Sequence, residues 1–132
     1  MQLLGGPQNR IERQTLNFAV ATDFLRYIPF TGVNISSTIG SYTVTRIAPA
    51  AGFLKRIRCY AYAAGGITEW GIHINGAAAL ETASADLPAF TVIEFPFSGA
   101  YHFAANDIIC ISQDPTTAPA ACAVELEWYL DQ

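Results

Sequence analysis

No lysine or arginine follows Arg58, so residues 59–132 carry no permanent positive charge. Histidine is nearly absent as well, with only His73 and His102. Two isolated histidines leave little for acid–base or nucleophilic chemistry. No Gly-x-Ser-x-Gly, phosphate-binding glycine loop or His-Glu-x-x-His occurs either. The three cysteines, Cys59, Cys110 and Cys122, stand singly and at no metal-ligand spacing. That argues against a zinc site and predicts reduced, buried thiols acting as small apolar residues. No apolar run reaches the length of a membrane-spanning helix, so no membrane segment is expected. The opening MQLLGGPQNR lacks a basic stretch followed by an apolar core, which predicts synthesis in a cytoplasm without a leader. No cofactor, no metal and no enzymatic activity are expected.

Charge is scarce, at 14% of residues, and it is segregated. Arg10, Arg13, Arg26, Arg46, Lys55, Arg56 and Arg58 share their part of the chain with only Glu12 and Asp23, a formal +5. Residues 59–132 hold nine acids, a formal −9, and the two sums give the net charge of −4. A domain with one basic and one acidic region can bind an acidic neighbour, including a copy of itself, in a fixed orientation. Arg10, Arg13, Arg46, Arg56 and Arg58 are therefore the candidate partner-binding residues. The competing reading is that the fold mixes the two halves back together in space.

At 52% hydrophobic, the chain has more apolar residues than one small core consumes, which predicts cover by partners. Residues 1–25 mix Gly, Pro, amides and Arg without a sustained period and read as an extended N-terminal arm. Such an arm spans up to roughly 80 Å. The alternative is a short first strand folded back on its own domain.

Residues 26–132 read as a single β domain. Leu54, Arg56, Arg58, Tyr60 and Tyr62 alternate with Phe53, Lys55, Ile57, Cys59 and Ala61, which sets Lys55 opposite Arg56 and Arg58. Trp70, Ile72 and Ile74 alternate with Gly71, His73 and Asn75, and Asn75-Gly76 then signals a hairpin turn. His73 falls on the polar face of that strand and His102 in a loop-like segment. Ile93, Phe95 and Phe97 share one side of the next strand, which Pro96 demotes to an edge or a bulge. Asn106-Asp107 punctuates the chain before Ile108–Ile111. The last strand sets Cys122, Val124, Leu126, Trp128 and Leu130 against Glu125, Glu127, Tyr129 and Asp131. About eight short strands with frequent turns predict an all-β antiparallel sandwich.

Glu125 and Glu127 share a strand face about 7 Å apart, but no aspartate-rich loop accompanies them, so calcium is not expected. Lys55, Arg56 and Arg58, followed by Tyr60 and Tyr62, superficially form a basic-aromatic platform. The acidic chain as a whole repels phosphates, so no nucleic acid is expected and arginine forks on carboxylates explain the cluster better.

The strand Phe53 to Tyr62, "WGIHINGA" at 70–77, "YHFAANDIICIS" at 101–112 and "CAVELEWYL" at 122–130 follow the arm in an order that resembles small jelly-roll decoration (cement) proteins of bacteriophage capsids. The Asn106-Asp107-Ile108 step is similar to the Gly-Asp-hydrophobic step of many trimeric jelly rolls, with Asn in place of Gly. The resemblance implies a jelly-roll-like sandwich, a homotrimer seated on a shell of major capsid protein, a place on the virion surface and no catalysis. The alternative is a receptor- or glycan-binding module of a viral tail or fibre, with Trp70, Tyr60 or Tyr62 stacking on sugars.

Overall fold

The computed structural model describes residues 9–131. Nine strands follow in order: β1 (Asn9–Val20), β2 (Arg26–Tyr27), β3 (Arg46–Ile47), β4 (Gly52–Ala61), β5 (Gly66–Ile74), β6 (Glu81–Leu87), β7 (Val92–Pro96), β8 (Ile108–Pro115) and β9 (Ala120–Asp131). The only helix among the described residues is one 3-10 turn, Tyr42–Val44. One sheet has the order β1-β9-β4-β7. The other runs β2-β8-β5-β6, with β3 pairing a second stretch of β8.

The antiparallel pairs are nested: β1 with β9, β2 and β3 with β8, β4 with β7, β5 with β6. This is a long hairpin wrapped into two sheets, the jelly-roll topology, in which β2 and β3 count as one interrupted strand. The expected all-β antiparallel sandwich is the observed fold. Nesting also fixes the flanks. β1 lies beside β2 and β3 on one flank, where Arg46 of β3 bonds to Glu12 and Gln14. β6 and β7 lie together on the other, where Glu81 accepts bonds from Ser98.

Period-2 alternation fills the space between the sheets. Cys122, Val124, Leu126, Trp128 and Leu130 of β9 are buried against Trp70 and Ile72 of β5 and Ile109 and Ile111 of β8. A one-residue slip of β9 would drive Glu125 and Glu127 inward, so its register is strongly specified. Phe95 and Phe97 are buried while Val92 and Glu94 are exposed, and β7 is an edge strand, as Pro96 requires. Asn75 and Gly76 both have positive φ, 55° and 77°, as a type I′ turn requires, and the Ala77 N–H donates to the Ile74 carbonyl. The ladder with β6 ends at Ile72 opposite Glu81, so this turn is part of a longer connection.

Two expectations are corrected. Residues 9–20 of the proposed arm are not a separate element: β1 pairs with β9 from Asn9↔Asp131 to Val20↔Ala120. Its inward Leu16, Phe18 and Val20 join the core, the period-2 signal that the polar residues between them obscured. Residues 1–8 of the arm lie outside the described residues. In β4, a bulge between Leu54 and Arg56 shifts the register against β9. The extra residue breaks strict alternation, so Leu54 joins Ile57 and Cys59 in the core. Lys55 then lies on the same face as Arg56 and Arg58, its Nζ donating to Tyr129 Oη at 2.6 Å.

Candidate functional site: the outer face of the four-stranded sheet

Basic residues lie on β1 and β4, acidic ones on β7 and β9, and the nested topology interleaves these strands. Arg13 is directly opposite Glu127, and Glu127 is opposite Arg56. One turn of pleat away, Glu125 is opposite Arg58, which is opposite Glu94. The result is a cross-strand charge ladder on the outer face. Arg13 Nη2 lies 3.0 Å from Glu127 Oε2, and Arg58 Nη1 3.1 Å from Glu125 Oε1. Arg56 Nη1 reaches Glu94 at 3.3 Å. Glu127 points outward as its strand parity demands, yet its side chain is only 7% exposed because the two arginines cover it.

Arg46 is placed differently. From β3 it reaches across the flank to β1, with Nη2 2.7 Å from Glu12 Oε1 and Nη1 3.0 Å from Gln14 Oε1. Its guanidinium stacks 5.1 Å from the Trp128 ring, whose Nε1–H also donates to Gln14. Arg10 is exposed and borders, with Ile11, Glu12, Arg13, Arg46 and Pro49, a shallow hollow of about 440 Å³. Of the five arginines singled out in the sequence, Arg13, Arg46, Arg56 and Arg58 therefore have acidic partners within their own chain. The segregation along the sequence is largely remixed by the fold.

At the far end of the same face the ladder gives way to aromatics. Tyr60, Tyr62 and Phe90 pack edge to face in a triangle with centroids 5.5–6.2 Å apart. Tyr62 is 54% exposed, Phe90 63% and Val92 51%. Phe90 has φ 57°, a left-handed conformation that bulky side chains avoid at a cost of roughly 1–2 kcal/mol. It is held there by its N–H, which donates to the Ala61 carbonyl at 2.8 Å. An adjoining hollow is lined by Asn17, Val33 and Tyr62. Trp70, expected as a possible sugar platform, is fully buried against Phe95 and cannot serve as one.

The histidines sit apart from this face. His73 is buried, which corrects its placement on a polar surface. Its Nδ1 lies 3.0 Å from the Ala77 carbonyl, an acceptor only, so Nδ1 carries a proton. In the neutral ring Nε2 then accepts from the Ser112 hydroxyl at 2.8 Å. Both residues are nearly inaccessible, and Tyr27 packs edge-on against the ring. The pair ties the loop after β5 to the outer face of the second sheet. His102 is exposed and lies against Phe53. Among the described residues no group of three or more His, Cys, Asp or Glu converges in the manner of a metal site. No helix among them is long and apolar enough to cross a membrane.

No protein-family model and no curated protein matches the chain. Among solved structures it is similar to a chain in the structure of infectious bursal disease virus, Gx strain, at 13% identity and a TM-score of 0.41. The alignment covers 89% of this chain and 32% of that one.

The exposed aromatic triangle is the feature that sequence reasoning half found. Tyr60 and Tyr62 stood out by period. Phe90 did not, because only the left-handed backbone at the β6–β7 connection brings it beside them.

Proposed function

We propose that this chain is a structural protein of a virion, a decoration or cement protein that attaches as a homotrimer to a shell of major capsid protein. The observation that carries the reading is Phe90, an exposed aromatic held in strained backbone on top of Tyr60 and Tyr62. A fold retains such strain where the surface is used, and an aromatic cluster beside neutralised charge suits the buried centre of a protein–protein contact. The neighbouring arginines are neutralised by carboxylates, which suits a protein partner better than nucleic acid or an anionic membrane. The reading involves no catalysis.

Replacing Phe90 by Gly separates function from fold. Glycine relieves the left-handed strain, so thermal stability stays within about 1 kcal/mol of the parent. Addition of the purified chain to shells lacking it, followed by sedimentation, should fall at least about tenfold in affinity, in the range of an aromatic hot spot. Undiminished attachment by Phe90→Gly and Tyr62→Ala would count against the reading.

The second reading is a glycan- or receptor-binding module of a tail or fibre. It is favoured by Asn17 beside Tyr62 in the adjoining hollow, a polar group next to a ring face. Under it, Tyr62→Ala removes binding on a glycan array and leaves addition to shells unchanged.

A further inference from the structure

Three strands of the second sheet, β5, β6 and β8, carry acids and no Lys or Arg, and the sheet's arginines, Arg26 and Arg46, stand on β2 and β3 beside β8. Glu69 lies directly opposite Asp114, a like-charge pair that disfavours a sheet. Asp86 lies opposite Ile67, which is 60% exposed. Among the described residues none of Glu69, Asp86 and Asp114 forms an ion pair. The complementary surface is the hollow beside β1. Of its lining arginines, Arg46 is paired with Glu12 and Arg13 with Glu127, while Arg10 forms no ion pair among the described residues and stands beside the half-exposed Ile11.

We propose that copies of this chain associate head to tail, the arginine-lined hollow beside β1 of one copy receiving the acidic face of β5, β6 and β8 of the next. This deepens the homotrimer reading and rests on it. The charges are complementary, and each patch carries one exposed isoleucine to bury against the other. The geometry selects a heterologous contact. The hollow lies on the flank where β1 of one sheet meets β3 of the other, and the acidic face runs from β8 across β5 to β6 at the opposite flank. A heterologous contact gives each copy two neighbours, and in the proposed homotrimer it closes as a ring. Arg10, the candidate arginine with no acidic partner among the described residues of its own chain, then finds one in an identical chain.

The test is oligomeric state by sedimentation velocity at micromolar concentration across a salt series, with charge reversals at two exposed positions. The unmodified chain should form trimers that loosen about tenfold or more as salt rises past physiological strength, because screening acts within roughly 8–10 Å. Arg10→Glu and Glu69→Lys should each shift the chain toward monomer, and the two reversals in one chain should recover the trimer. A monomeric parent at every salt overturns the trimer reading and this inference with it. A trimer that ignores salt and both single reversals leaves the trimer standing and overturns the assigned surfaces. So does a combined variant that stays monomeric while its circular dichroism matches the parent. The salt series on the unmodified chain needs no variant to fold.

Discussion

Arg56 and Glu127 face each other across β4 and β9, with Arg56 Nε 2.6 Å from Glu127 Oε1. Arg13 approaches the other oxygen of the same carboxylate from β1. Glu127 thus joins three strands of one sheet, and it is the ladder's one carboxylate withdrawn from water. Its replacement by Ala should destabilise the fold by about 1–3 kcal/mol in urea titration, since a buried acceptor and two charge-assisted bonds are lost. Arg58→Ala should cost only about 0–1 kcal/mol, because Arg58 and Glu94 remain hydrated. Equal losses at the two positions would show that burial of Glu127 is energetically unimportant.

Trp128 is fully buried, with Phe103 edge-on at 5.8 Å and Arg46 over its ring. Trp128→Ala should cost roughly 3–5 kcal/mol, from lost burial and the cavity left behind. It also leaves Gln14 and Arg46 without a ring to pack on. A smaller loss, under about 1 kcal/mol, would place the core elsewhere.

Two glycines should respond differently to Ala. At Gly52 an added methyl overlaps the Tyr129 carbonyl oxygen, backbone that cannot rotate away. At Gly76 nothing lies within 4 Å, and only the positive φ of 77° opposes the change. Gly76→Ala should therefore cost about 1–2 kcal/mol, and Gly52→Ala more, with displacement of β4 from β9. Melting temperatures of the two variants and amide shifts along β9 provide the comparison.

The three cysteines are free and buried. The Cys59 thiol is pushed well above its ordinary range by its hydrogen bond with Cys122 and by burial. Alkylating reagents should label none of the three in the folded chain and all three in denaturant. The sign of the alkaline effect follows from linkage. The unfolded thiol ionises above about pH 8.5 while the folded one keeps its proton. The contribution is complete below that pH and declines as pH rises beyond it. The Cys122 thiol is lowered by the same contact and opposes this, so the sign is read in a Cys122→Ala background, where burial still raises Cys59. Urea midpoints there should fall from pH 8 to 10, and Cys59→Ser should flatten the slope.

The parts of the fold legible in the sequence were those whose alternation ran unbroken. β9 could be read residue by residue, and β5 and β7 nearly so. β4 was misread from Leu54 to Lys55 because a bulge adds one residue without any mark in composition. The first strand reads as an arm in the sequence because polar residues alternate with its core residues and amides and arginines fill its outer face. Trp70 looked available for stacking only while the second sheet was absent from view.

By itself the sequence determined which faces are apolar, where the turns fall and that basic and acidic residues occupy different halves, because these follow from side-chain period and composition. Tertiary structure alone decided what the charges do. Wrapping the first strand against the last sets Arg13 beside Glu127, and returning β4 between β9 and β7 sets Arg56 and Arg58 between carboxylates. Partners 38 to 114 residues apart meet by strand register, which no local pattern encodes. The same wrapping leaves Glu69, Asp86 and Asp114 without an ion pair among the described residues.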